Sequence, residues 1–285
     1  MIHVAKDMGG APEEGHALDP DVQVFIPVFN DFDYFPEALT SVLRQRNVRL
    51  EVVVSDNAST DGTYEYAQRA AEQDQRIKLH RNDTNLGLIG NLNRFADLVS
   101  APFYMLLCSD DVLLSDSALQ KAVDVITHDS SVVSVYCDLE YIDGKSRRLG
   151  TRHFGRRGYF DGAKALRQSI TAQRNLFGIP LLNRTEACRD LCYPQELTYT
   201  SDVYISAKLA SLGKLYHITE LLIGNRFTGR NATSVLHGKT WPQFQRITDL
   251  FNVALSTRES LICGVNRYYV PFARTVFLLW ARIRS

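Results

Sequence analysis

Apolar and β-branched residues dominate Val22–Val28 (VQVFIPV), a pattern that predicts a buried strand. A helix follows over Phe35–Arg46, with Pro36 in its first turn and Ala38, Leu39, Val42 and Leu43 along one face. Leu50–Ser55 (LEVVVS) predicts a second strand. Thr63–Glu72 predicts a helix, introduced by the cap-forming residues Ser59, Thr60 and Asp61. Ile77–His80 reads as a short strand, Ile89–Val99 as a helix and Phe103–Cys108 as another buried strand. Ser115 is expected to cap a helix with a Leu119, Val123 and Ile126 stripe, and Val132–Cys137 reads as a strand again.

Strands alternating with helices imply an α/β fold, with a mostly parallel sheet covered on both faces. Ligands of such sheets bind beyond the carboxyl ends of the strands. Pro27 and Asn30, Asp56, and the adjacent Asp110 and Asp111 all fall on that edge. After residue 140 the rhythm breaks. GKSRRLGTRHFGRRGYFDG is basic and glycine-rich, as in a loop or an irregular hairpin. Helical patterns return at Ala163–Ala172, Thr185–Leu191 and Val203–Leu212, and strand patterns at Lys214–Ile218 and Leu221–Phe227. The expected organisation is a lead-in over residues 1–20, one domain over 21–240 divided at 140, and a helical segment over 241–285.

Composition adds little beyond exclusions. Among 285 residues, 32 basic and 32 acidic side chains balance, so no global charge draws the chain to nucleic acid. The five cysteines form no CxxC pair, which fits a reducing cytosol. No stretch reaches the ~18 apolar residues of a membrane span. The tail YYVPFARTVFLLWARIRS mixes apolar bulk with Arg274, Arg282 and Arg284, as in a packed final helix or one lying on an anionic membrane face.

No GxGxxG, P-loop, GxSxG or HExxH pattern is present, which disfavours dinucleotide, P-loop, hydrolase and zinc-protease chemistry. The acidic pair in MLLCSDDVLL remains. Buried carboxylates repel one another, so Asp110 and Asp111 either punctuate a turn or face a cation. Oxygen ligands of this kind suit Mg²⁺ or Mn²⁺, which in turn favour a diphosphate.

In order and at plausible spacing, VFIPVFN, VVVSDNASTDGT, NLGLIGNLN and MLLCSDD resemble the N-terminal half of glycosyltransferase family 2. The resemblance covers residues 22–140 strongly and 176–235 more weakly. It implies the GT-A fold, a Rossmann-like sheet with a C-terminal acceptor-side extension, and inverting sugar transfer from a nucleoside-diphosphate sugar with Mn²⁺ or Mg²⁺. Pro27, Asn30, Asp56, Asn85, Gly87, Asn91 and Asp110 would then serve the nucleotide-sugar, and Asp111 the metal. In SDNASTDGT, Asn57 and Ala58 depart from the commoner Asp and Gly. TYTSDVYISAKLASLGKLYHI resembles the segment whose acidic residue is the general base, which assigns that role to Asp202. In LLIGNRFTGRNATS, Arg226 and Arg230 would face the diphosphate; Thr228 stands where a His is frequent, and His237 is a displaced candidate for the metal.

The region with Phe177, Gly178, Pro180, Leu181 and Leu182, and the basic loop Arg147–Arg157, would select the acceptor. The implied acceptor is a glycan or a lipid-linked sugar of bacterial polysaccharide synthesis, met at the inner face of the membrane. UDP is the expected donor nucleotide. Two other classes stay open: a nucleotide-sugar binding protein without turnover, and a sugar nucleotidyltransferase, although NDFDYFP lacks the basic glycine-rich loop of the latter.

Overall fold

The computed structural model describes residues 19–228, 240–263 and 266. Its strands are β1 (Val22–Val28), β2 (Leu50–Asp56), β3 (Ile77–Arg81), β4 (Phe103–Leu106), β5 (Val112–Leu113), β6 (Val132–Asp143), β7 (Arg148–Arg152), β8 (Gly158–Phe160), β9 (Pro180–Arg184) and β10 (Lys214–Phe227). They join one sheet in the order β3-β2-β1-β4-β9-β6-β10-β5, with β7 paired to β6 and β8 to β10. β1, β2, β3 and β4 are parallel, as are β6 and β10, while β9 runs antiparallel to both β4 and β6.

The helices are α1 (Phe35–Leu43), α2 (Thr63–Gln73), α3 (Gly87–Asn93), α4 (Phe95–Leu98), α5 (Ala118–His128), α6 (Gly162–Ala172), α7 (Ser201–Leu212) and α8 (Thr240–Leu250). Alternation along the central strands distributes their side chains to two cores. Val22, Val24, Ile26, Val52 and Val54 pack with Phe35 and Leu39 of α1 and Leu119 of α5. Phe25 and Val53 point the other way, toward Ile89 and Leu92 of α3, Ile170 of α6 and Ile205 of α7. Helix α7 has no single apolar stripe, because Val203, Tyr204, Ile205, Ala207 and Leu209 are all buried. Gly162 opens α6 against Ala210 of α7, too close for a side chain at that position.

Several expectations shift. The helix expected over Ile89–Val99 divides into α3 and α4, and that over Thr185–Leu191 shrinks to a 3₁₀ turn at Thr185–Cys188. Ser117, not Ser115, precedes α5, and its side chain makes no capping bond. The two strand patterns after residue 213 are one strand, β10, with register shifts that bend it along β6. Strands β5 and β9 had no sequence signal of their own. The basic stretch is a hairpin, β6–β7, so the division drawn at residue 140 falls inside β6. The lead-in up to residue 18 and most of the tail lie outside the described residues. Among the described residues, no helix is long and apolar enough to cross a membrane.

Candidate active site

The carboxyl edges of β1, β2 and β4 are tied together by short polar bonds. At the end of β1, Asn30 adopts a left-handed backbone (φ 48°), a conformation Asn tolerates. Its amide N–H donates to Ser59 Oγ (3.0 Å), and its Oδ1 accepts from Thr60 N (2.8 Å). Asp31 N and Phe32 N donate to Thr63 Oγ1 (3.0 Å) and Asp61 Oδ2 (3.1 Å). Burial pushes the Asp61 carboxyl up, but the Thr63 hydroxyl and the Phe32 and Thr63 amides outweigh it and hold the pKa below the usual range. The SDNASTDGT segment is therefore largely a clasp between two loops. Ala58 is left-handed (φ 63°), which explains why glycine is common at that place in the resembling pattern. Pro27 sits where β1 still pairs with β2 but has outrun β4, so its missing N–H is tolerated.

Asp56 is fully buried at the end of β2. Its Oδ2 accepts from Ser59 N (3.1 Å) and lies 3.5 Å from Arg81 Nε. Its Oδ1 is buried with no hydrogen-bond partner among the described residues, an arrangement costly without a donor. Arg81 went unnoticed in the sequence. It also donates to Ser59 O (3.0 Å) and stacks 4.0 Å from the Tyr64 ring.

The NLGLIGNLN segment holds itself in place rather than presenting its polar residues. Asn57 bridges it: Nδ2 donates to Asn85 Oδ1 (2.8 Å) and Gly87 O (3.2 Å), and Oδ1 accepts from Leu86 N (2.9 Å) and Asn82 Nδ2 (3.0 Å). Buried Asn91 accepts from Ser55 Oγ (2.7 Å) and Asn82 Nδ2 (3.0 Å), and donates to Ser55 O (3.0 Å). Asn85, Gly87 and Asn91 thus act as loop struts. The neighbouring Leu88 and Leu92 line the cleft instead.

That cleft, about 490 Å³, is walled by Pro27, Phe29, Asn30, Leu88, Cys108, Asp110, Asp111 and Asp202. Asp111 is buried; its Oδ1 accepts from Asn225 Nδ2 (3.0 Å) and Arg226 N (2.9 Å). Burial, then the charge of Asp110, pushes the Asp111 carboxyl well up, against the hydrogen bonds from Arg226 N and Asn225. Ligand atoms of Cys108, Asp110 and Asp111 lie within 4.8 Å of one another. Cys108 is exposed as a residue, yet its thiol pKa is pushed well above its usual range, by desolvation first and then by the carboxylates of Asp111, Asp110, Asp202 and Asp31. Hard carboxylate oxygens gathered around one point, with an uncompensated tendency to hold protons, fit a divalent cation.

Arg226 departs from expectation. Its guanidinium is fully buried and donates to Glu37 Oε2 (2.7 Å), Asp143 O (3.0 Å), Ser146 Oγ (2.8 Å) and Asp110 O (2.7 Å). In this structure it is a strut that fixes the Asp110 backbone. Arg230 and His237 lie outside the described residues.

Asp202 opens α7, where Oδ1 accepts from Val203 N (2.8 Å) and Oδ2 from Asn175 Nδ2 (2.7 Å). It lines both the cleft and a second cavity of about 1140 Å³, as do Ile179, Tyr199 and Asn225. Arg152, His153, Phe154, Arg156 and Arg174 line the second cavity. Behind them, Asp138 accepts from His153 Nδ1 (2.8 Å), His217 Nε2 (2.9 Å) and Phe154 N (3.0 Å). Burial pushes the Asp138 carboxyl up, but these donors prevail and hold it below its usual range.

The sequence model described as glycosyl transferase family 2 matches residues 23–185. An uncharacterized glycosyltransferase of Haemophilus influenzae is 26% identical over 224 residues, covering 76% of this chain and 68% of the relative. The chain spans half or less of the length of three other curated relatives. The crystal structure of S. aureus TarS 1-349 in complex with UDP-GlcNAc has a TM-score of 0.68 at 19% identity, covering 88% of this chain and 73% of that one. The mannosyltransferase PcManGT from Pyrobaculum calidifontis, in complex with GDP-Man and Mn2+, has a TM-score of 0.56 at 16% identity, covering 94% and 87%. With a GT-A-like sheet, a cleft at its carboxyl edge and more than half its length matched, the chain belongs to glycosyl transferase family 2, enzymes that transfer sugars.

Proposed function

We propose that the chain transfers a sugar from a UDP-sugar, with inversion and with a divalent cation, to an acceptor held in the second cavity. The observation that carries this reading is the position of Asp202, which lines the acidic cleft and the second cavity at once. At the end of β2, behind the lining of the cleft, Asp56 Oδ1 offers a buried acceptor for a base N–H. Asp56 is sealed from solvent, so the base gains access by displacing part of the loop that Asn57 holds or the Arg81 side chain. Exposed Phe29 and Leu88 supply apolar surface in the cleft.

Asp111, with Asp110 and the Cys108 thiol nearby, would hold Mn²⁺ or Mg²⁺, whose charge would stabilise the leaving diphosphate. Asp202 accepts the proton of the acceptor hydroxyl. The hydroxyl oxygen forms the new bond to the anomeric carbon, and the departing diphosphate takes the electron pair of the broken bond. Asn175 positions the Asp202 carboxylate for this. One base facing the leaving group across the sugar gives direct displacement. The acceptor is a glycan or a lipid-linked saccharide of polysaccharide synthesis, and the basic tail, outside the described residues, would bring the enzyme to an anionic membrane face.

Asp202→Asn tests the assignment, because it keeps the shape and some hydrogen bonding but cannot take the proton. Transfer should fall by ~10²–10⁴-fold, while UDP affinity in Mn²⁺ and the melting temperature stay near those of the native protein. Near-normal transfer would reduce Asp202 to a charge at a helix N-terminus.

A further inference from the structure

We propose that the second cavity takes an acceptor bearing a phosphate group close to the hydroxyl that is glycosylated. The inference rests on the reading of Asp202 and the cleft given above, and names the acceptor class for the same site.

Three guanidinium groups line the cavity, those of Arg152, Arg156 and Arg174, and none forms an ion pair among the described residues. Two acids lie on the wall. Glu259 pairs with Arg167 (2.9 Å), and Asp202, which accepts from the neutral Asn175 amide (2.7 Å), leaves one carboxylate against three guanidinium groups. The wall is therefore cationic. Ordinary flexibility does not account for it, since two of the arginines are fixed. Arg152 donates to Asn175 O and Arg156 to Phe177 O. The Phe154 ring lies between them, 4.6 Å from one guanidinium and 5.0 Å from the other, and Phe160 lies 3.8 Å from Arg156. Arg156 Nε is buried without a hydrogen-bond partner. Preorganised, partly desolvated guanidinium forks with donors unsatisfied suit a tetrahedral oxyanion more than a neutral sugar.

The spacing ties this charge to the chemistry. Asn175 accepts from Arg152 through its backbone carbonyl and donates to Asp202 through its side chain. Two hydrogen bonds of about 3 Å and the width of one asparagine limit the separation of guanidinium and carboxylate to roughly 10 Å. An anion on Arg152 thus lies within about two sugar or polyol units of a hydroxyl facing Asp202. A phosphate ester or diphosphate next to the acceptor unit satisfies both contacts, whether it belongs to a lipid headgroup or to a soluble polyol phosphate.

The test uses the full chain saturated with UDP and Mn²⁺, so that the probe cannot occupy the cleft. Hexyl phosphate and hexyl glucoside are titrated separately, and flotation is measured with phosphatidylcholine vesicles with and without phosphatidic acid. Hexyl phosphate should bind saturably and hexyl glucoside should not. The R152Q/R174Q double variant should weaken phosphate binding about tenfold, the loss of one to two charge-assisted bonds, with UDP affinity and melting temperature unchanged. Arg152→Lys should recover part of the loss. Response to hexyl phosphate alone identifies a soluble phosphate, and a further response to phosphatidic-acid vesicles that the double variant loses identifies a lipid headgroup. Equal binding of the glucoside, full retention in the double variant, or no response in either arm overturns the proposal. Failure of the native protein to bind UDP with Mn²⁺ would instead overturn the reading of the cleft.

Discussion

The cleft and the second cavity share a wall but have opposite electrical character. The cleft gathers carboxylates: Asp31, Asp110, Asp111 and Asp202 line it, and all four push up the Cys108 thiol. The cavity gathers arginines. Their supports differ as well. Neutral amide networks of asparagines hold the cleft, as in Asn85–Asn57–Asn82–Asn91, whereas cation–aromatic stacking and backbone carbonyls hold the cavity. A site suited to a cation gathers an excess of carboxylates. A site suited to an anion does the same with the opposite sign. Where a charge is paired internally, as in Arg226 with Glu37, it is structural.

The largest effect expected from breaking this contrast comes from that internal pair. Arg226→Met removes four hydrogen bonds and leaves Glu37 and two backbone carbonyls without them. It should destabilise the fold by about 3 kcal/mol in urea unfolding. Intact stability with a selective loss of UDP affinity would return Arg226 to the diphosphate. Asp56→Ala should weaken UDP binding by ~1–3 kcal/mol by removing a buried charged acceptor, as titration calorimetry would show. A defect confined to turnover would contradict this placement.

The acidity of the cleft can be sharpened by pH. The Asp111 carboxyl has its pKa raised in the folded protein, so below that pKa it is protonated and a cation must expel the proton. Mn²⁺-dependent UDP affinity should therefore rise with pH, by up to about tenfold per unit, and level off once Asp111 is ionised. In the absence of metal the sign for stability is the same in origin: a raised carboxyl pKa favours the fold at low pH and weakens it as pH rises through the folded value. A flat affinity profile would remove Asp111 from the cation site. The smallest effect concerns the clasp. Ala58→Gly relieves a left-handed alanine at a cost of ~1–2 kcal/mol and loosens the unfolded chain by ~0.4–1 kcal/mol. A net stabilisation of about 0.5–1 kcal/mol should appear in unfolding curves; a loss would show that the strain is absorbed elsewhere.

Much of the nucleotide half was legible because its information is local. Strand β1 begins and ends where its pattern predicted, and the alternation of Val24 and Ile26 with Phe25 already encodes two buried faces. The turn-forming residues of SDNASTDGT placed a loop at the end of β2, and Asp110 and Asp111 fell on the ligand edge because both follow the parallel strand β4. The sequence by itself thus determined the order of the main strands and helices of this half, the carboxyl-edge residues and their acidic character. Only the tertiary structure decided what distant segments do to one another. Strand β9 exists because β4 and β6 leave a gap that it bridges, and Val112–Leu113 is a strand only because β10 lies beside it. Whether Arg226 faces a ligand or Glu37 depends on α1, 189 residues away. Arg81 beside Asp56, Asn225 on Asp111 and Asn175 between Arg152 and Asp202 are likewise long-range pairings. Periodicity reports which side of its own element a residue occupies, but what stands opposite is set by packing between elements, and there the charge of each pocket was made.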